Sequence, residues 1–320
     1  MVTLKDIIKL AKELPEEVFA EVYESMNKAK QKNDEDKRSQ PTTCPDCGNR
    51  AVKNGKKDGS QSFLCTCCKR SFLERATSAI AHSHSSKAVW KAVIEDTIHG
   101  VSIKKTATDL ELSRQTIFNM RHKILSAIEQ EILANPVLLE GTCEVDETYV
   151  LECEKGREFT QFHQREPRNN GKASKQGLSE EFICLCTSVT GEGKLIARAV
   201  NRATPSKEEI EEVFGSRIED DTLLLVDGNK SYNTLKDRCV VVRTDADDRI
   251  RINRFHSFIK ERIARARGFA TKNLNRYAAL FSQIFGNQED AVEKIFELMT
   301  ARNGSFRTID KVLNEDLLAL

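Results

Sequence analysis

The order of the apolar β-forming runs constrains this chain more than any other feature. After Pro136, short β-rich runs appear at 143–151, 182–189, 194–200, 222–227 and 239–243, and one helical run, Lys207 to Ile218, stands ahead of the fourth. Three hairpin-like strands, a helix, a further strand and a flanking helix predict a mixed α/β sheet. Beyond Ile252 the pattern is helical almost to the end, broken by Gly268, Gly286 and Gly304. Two aspartates sit at the ends of or within these runs: Asp146 in Cys143-Glu-Val-Asp-Glu-Thr-Tyr-Val150, and Asp227 in Leu223-Leu-Leu-Val-Asp-Gly228.

If the 143–151 and 222–227 runs pair, Asp146 and Asp227 share one edge of the sheet. Hard oxygen ligands there suit Mg²⁺ or Mn²⁺, and two such ions serve phosphodiester chemistry on DNA. A third ligand is expected from the helix that follows, where Asn253, His256 and Glu261 are all available and Lys260 and Arg262 could hold phosphates. Strict alternation of side chains along a strand places Glu147 on the face opposite Asp146 and argues against it as a ligand; Glu144 shares the Asp146 face and is a weaker candidate.

Two modules precede the sheet. Cys44-Pro-Asp-Cys47 and Cys65-Thr-Cys-Cys68 each present two thiolates on a tight turn, so Cys44, Cys47, Cys65 and Cys68 predict a closed tetrahedral Zn²⁺ site that is structural and leaves no open position. Cys67 offers an irregular alternative to this pairing. Asn54-Gly55 and Asp58-Gly59 supply turns for a ribbon too small to fold without its metal. Further on, Ile103, Ala107, Leu110, Leu112, Ile117 and Met120 have the spacing of two short helices packed across a turn, with Ser113 capping the second. That helix would present Arg114, Gln115, Asn119, Arg121 and Lys123 to duplex DNA, with His122 beside them as a surface residue. Glu111 occupies a turn position where glycine is frequent.

Fifty basic residues against forty-nine acidic ones give no global field, so nucleic acid must be met by local basic stretches. One is a loop rich in small and polar residues with Arg165, Arg168, Lys172 and Lys175; another runs from Lys260 to Arg267. Residues 3 to 30 show helical periodicity, and 27 to 41 lack the apolar side chains to bury a core. No apolar run approaches a membrane span and no signal-peptide pattern opens the chain, which predicts a soluble, cytoplasmic protein. Four of ten cysteines fall in the CxxC motifs and six are scattered, which argues against disulfides.

The stretch 41–285 resembles the DDE transposases of bacterial insertion sequences, in the subgroup carrying a zinc ribbon and helix-turn-helix ahead of a ribonuclease-H-like domain. The resemblance rests on Glu144-Val-Asp-Glu-Thr-Tyr149, the basic stretch Arg165 to Gly177, Val226-Asp-Gly-Asn229, and Asn253-Arg-Phe-His-Ser257 followed by Arg267-Gly-Phe-Ala-Thr-Lys272. It implies five segments: N-terminal helices and linker (1–40), zinc ribbon (41–73), helix-turn-helix DNA-binding domain (74–138), ribonuclease-H-like catalytic domain (139–285) and helical tail (286–320). It also implies an enzyme that binds element terminal repeats in double-stranded DNA, cleaves them and joins them to target DNA from a homo-oligomeric synaptic complex. In that subgroup the third position varies among Glu, Asn and His, which assigns His256 here, with Lys260 as its basic companion. A transcription regulator with an inert sheet and a structure-directed nuclease are the competing functions.

Overall fold

The computed structural model describes residues 43–44, 47–57, 60–73, 78–81, 83–153, 155, 172–173, 175–286, 290–300 and 312. The chain divides into two compact units, residues 1–76 and 77–320. The expected N-terminal helices, as well as Arg165 and Arg168, lie outside the described residues.

In the first unit three strands, β1 (Ala51–Lys57), β2 (Ser60–Cys65) and β3 (Ser71–Leu73), form an antiparallel sheet. Its apolar core comprises Ala51, Phe63, Phe72 and two of the cysteines. So small a core contributes little: at roughly 1.5–3 kcal/mol per buried large side chain, it cannot offset the ordering entropy of the segment. The four thiols stand together beside this core. Gly48 and Lys69 follow the second cysteine of each pair with φ of 70° and 60°, the left-handed turn that folds each knuckle back. At Lys69 this is a strained choice for a residue with a Cβ.

The second unit opens with three helices, α1 (Lys87–Ile98), α2 (Ile103–Asp109) and α3 (Arg114–Ala134), each started by a serine. Ser86, Ser102 and Ser113 accept a hydrogen bond from Val89, Lys105 and Thr116 N–H respectively. Between α2 and α3, Glu111 adopts φ of 53°, so the turn takes the left-handed residue it needs without glycine.

The sheet that follows has five strands in the order β6-β5-β4-β7-β8: β4 (Thr142–Leu151), β5 (Phe182–Val189), β6 (Leu195–Arg202), β7 (Leu223–Val226) and β8 (Val240–Arg243). The first three make antiparallel hairpin pairs, while β7 runs parallel to β4 and β8 parallel to β7. A parallel return needs a crossover, which helix α4 (Lys207–Phe214) supplies under a capping box of Ser206 and Glu209. One sheet face packs on α5 (Ile250–Arg265) and α6 (Leu274–Ile284), together with α1, α3 and α7 (Ala291–Thr300). The other packs on α4 and on the 3₁₀ segment Lys230–Asp237 through Ile210, Phe214, Tyr232 and Leu235. Trp90 and Ile117, from the expected DNA-binding helices, lie in the same core as Ile183 and Phe255, so these helices and the sheet share one interior.

Candidate active site

Parallel pairing of β4 and β7 matches Glu144 with Leu225, so two residues on Asp146 comes level with Asp227. Asp227 lies past the last laddered residue of β7, where the chain turns through Gly228 to Asn229. Asn229 N–H donates to Asp227 Oδ1 at 2.8 Å, which fixes that turn. Carboxylate oxygens of Asp146, Glu147 and Asp227 all lie within 4.8 Å of one another.

Glu147 belongs to this cluster, contrary to the alternation argument. The alternation itself holds: Asp146 faces the α5 side, and Glu147 faces Tyr232 and the 3₁₀ segment. It does not decide the matter, because Asp227 stands beyond the strand end, where the sheet no longer separates its two faces. Asn229 Nδ2 donates to Glu147 Oε1 at 2.7 Å and holds the longer side chain in place.

Electrostatics make this an unfavourable place for three negative charges. Burial, with the nearby Asp227 charge second, raises the Glu147 carboxyl from 4.5 to about 7. Asp146 is also raised by burial, against the opposing pull of Arg249, whose Nη1 lies 2.8 Å from Asp146 Oδ2. A polyvalent cation would relieve the two raised carboxyls, Asp146 and Glu147, and the donors of the cluster are all hard oxygens.

Helix α5 is tied to the cluster through β4. Glu144 is buried and accepts Arg251 Nε at 2.9 Å and Ile252 N–H at 2.8 Å. It thus satisfies an orphan donor at the helix start, where no side chain of the helix's own caps it. Glu144 is a clamp between strand and helix rather than a further oxygen ligand.

His256 does not join the carboxylates. Its Nε2 lies 2.7 Å from Thr187 Oγ1, and that hydroxyl donates to the Asp146 carbonyl at 2.8 Å. Since the threonine proton is spent on that carbonyl, Nε2 must carry the imidazole proton, and this nitrogen is not a metal ligand. Burial, followed by the charges of Lys260 and Arg249, lowers His256 to about 4, so the ring is neutral near pH 7. Asn253 donates to the Ala246 carbonyl at 2.9 Å, and Glu261 pairs with Arg265 at 2.6 Å on the exposed face. Lys260 is exposed one turn beyond His256.

The expected DNA-facing residues separate into two sets. Arg114 and Gln115 are exposed at the start of α3, and Gln115 Nε2 donates to Asn119 Oδ1 at 2.8 Å. Arg121 is turned inward, donating from Nη2 to the Val101 carbonyl at 2.9 Å. His122 is buried rather than at the surface, its ring 4.3 Å from that of Phe118. Lys123 is half-buried. Arg262 donates to the Ile98 carbonyl at 2.7 Å and lies over the Phe258 ring, which makes it a brace between α5 and α1. The helical period explains these reversals: α3 runs 21 residues and buries a wide stripe, with position 122 within it and position 121 at its edge. Lys172 and Lys175 are exposed.

In the first unit Cys44, Cys47, Cys65 and Cys68 bring their sulfurs within 4.8 Å of one another, with Cys44–Cys68 at 3.6 Å and Cys47–Cys65 at 3.5 Å. A tetrahedron with metal–sulfur bonds of about 2.3 Å has sulfur–sulfur edges of about 3.8 Å, so the cage is the right size for zinc. Cys67 is exposed and lies outside the four.

No protein-family model matches the chain. A curated protein of Halobacterium salinarum, described as an uncharacterized protein in transposable element ISH50, is 25% identical over 195 residues, which is 60% of this chain. The match spans 64% of that relative's own length. Among solved structures, the Mos1 strand transfer complex aligns with 74% of this chain and 79% of its own at 13% identity and a TM-score of 0.30. The mariner Mos1 paired end complex with Mg aligns with 74% of this chain and 80% of its own, at 13% identity and a TM-score of 0.31. Among the described residues no helix is long and apolar enough to cross a membrane.

Proposed function

We propose that the chain is a transposase of the DDE type, in which Asp146, Asp227 and Glu147 hold divalent metal and the second unit cuts DNA and joins the freed 3′-hydroxyl to a target strand. The observation that carries this reading is the convergence of three carboxylates where the parallel ladder of β4 and β7 ends. Similarity to a protein from a transposable element supports the same conclusion.

Mg²⁺ or Mn²⁺ bound there would supply a lowered pKa for the attacking water or hydroxyl and charge stabilisation for the leaving oxygen. The chain's own residues do the rest. Asp146 and Asp227 offer oxygens from neighbouring strands, and Glu147 adds one from the opposite face. Asn229 orients both Glu147 and Asp227. Thr187 and His256 fix the β4 backbone at Asp146 from behind. Lys260, exposed on α5, is a phosphate contact, as are Lys172, Lys175 and, earlier in the sequence, Arg165 and Arg168. Arg114, Gln115 and Asn119 approach the base edges of the terminal repeat, while Arg121 and Arg262 act as braces and do not touch DNA. The four cysteines bind structural zinc. A homo-oligomer holds two ends together.

The test is a strand-transfer assay with labelled terminal duplex in Mg²⁺ and Mn²⁺. A transposase cleaves and joins. A nuclease cleaves without joining, and a regulator binds without either.

A further inference from the structure

Among the described residues two arginines are buried, Arg249 and Arg276, and they are served very differently. Arg276 pairs with Glu129 at 3.1 Å and donates to the Val312 carbonyl at 2.8 Å. Arg249 lies at the start of α5 with its side chain 7% exposed, and its Nη1 is 2.8 Å from Asp146 Oδ2 without hydrogen-bond alignment. Its Nε has no hydrogen-bond acceptor, and its Nη1 has only this ion pair.

A guanidinium withdrawn from water with donors unmet is costly, and elsewhere in a fold it would be paired in full. Here it stands against the carboxylate from which a metal would be coordinated. Two consequences follow from charge and shape alone. A cation in contact with Asp146 and a divalent ion on the same carboxylate repel each other strongly in a half-buried site. A guanidinium with unmet donors can also take more than one oxygen of a phosphate, where it now makes a single carboxylate contact.

We infer that Arg249 is the resident counter-cation of the carboxylate cluster: divalent metal must displace it from Asp146, and the displaced guanidinium then binds a phosphate of the DNA strand. This rests on the reading of Asp146, Glu147 and Asp227 as a metal site. Metal loading and phosphate capture become linked through one side chain, so that DNA is gripped at the site only once metal is present.

The experiment titrates Mn²⁺ into the full chain, following free Mn²⁺ by electron paramagnetic resonance, for the parent, Arg249→Met, Arg249→Lys and Asp146→Asn. Without DNA, Arg249→Met is expected to bind Mn²⁺ about tenfold or more tightly than the parent, and Arg249→Lys to fall between them. Binding of a labelled duplex is then compared with and without Ca²⁺; the parent should gain affinity with the metal and Arg249→Met should gain markedly less. Equal or weaker Mn²⁺ binding by both Arg249 variants overturns the competition, and an undiminished gain with Ca²⁺ in Arg249→Met overturns the phosphate contact. Mn²⁺ binding that is absent in the parent, or unchanged in Asp146→Asn, overturns the metal site itself and the inference with it. Emission of the single tryptophan, buried Trp90, verifies that each variant is folded.

Discussion

Glu147→Gln is the substitution whose consequence can be worked furthest from the structure. Glu147 is 9% exposed, and its carboxyl is raised from 4.5 to about 7 by burial and the charge of Asp227. Between those two values the folded protein holds a proton that the unfolded chain has released. Stability therefore falls as pH rises through this window, and the full penalty is present above the folded value. The interval corresponds to about 3 kcal/mol, of which less than about 1 kcal/mol has developed at about pH 5. Glutamine removes the ionisation while keeping the hydrogen bond to Asn229 available by an amide flip. In metal-free buffer, urea unfolding followed by Trp90 emission should find Glu147→Gln stabilised relative to the parent by about 2–3 kcal/mol more at about pH 8 than at about pH 5. Saturating Mg²⁺ should narrow or invert the gain, because a ligand oxygen bearing charge has been replaced by a neutral amide. A variant that tracks the parent at both pH values would refute the reasoning: Glu147 would then be a solvated carboxylate outside the cluster.

Three further outcomes follow from the same geometry. Removing zinc with a chelator, or Cys44→Ser, should unfold the first unit while Trp90 emission from the second stays native, since the ribbon core is five residues including two of the cysteines. Thr187→Val should leave folding intact but lower the strand-transfer rate by about tenfold or more, with duplex affinity unchanged, because it frees both His256 and the Asp146 carbonyl. Arg114→Ala should weaken binding of terminal duplex by about 1–3 kcal/mol, whereas Arg121→Ala should instead lower the melting temperature without changing the salt dependence of binding.

Much of the sheet is legible in the sequence because its strands are short apolar runs of β-formers, and the helical run before the fourth accounts for the parallel return. The cysteine cage is legible too, since two CxxC pairs leave few other arrangements. The site is harder, for reasons visible in particular residues. Alternation sets Glu147 apart from Asp146, and a sequence does not show that β7 ends one residue before Asp227, which lies close to both. His256 has the composition of a ligand, but its partner Thr187 comes from a strand 69 residues earlier, and no local pattern announces that hydrogen bond. Arg249 carries no motif, and the run that holds Glu144 does not show that its carboxylate meets a helix start. Their roles arise from the docking of α5 on β4, driven by Ile252 and Phe255, both fully buried. The same limit governs α3, where a basic run reads as a DNA face although His122 falls within the buried stripe and Arg121 at its edge.

Anomalous diffraction from crystals of the full chain grown with Mn²⁺ would show whether Asp146, Glu147 and Asp227 share divalent metal. An anomalous peak is expected within about 2.5 Å of oxygens from both Asp146 and Asp227, with Arg249 moved off Asp146. A crystal whose cysteine cage shows zinc while the three carboxylates carry no Mn²⁺ peak, with Arg249 still in contact with Asp146, would contradict it.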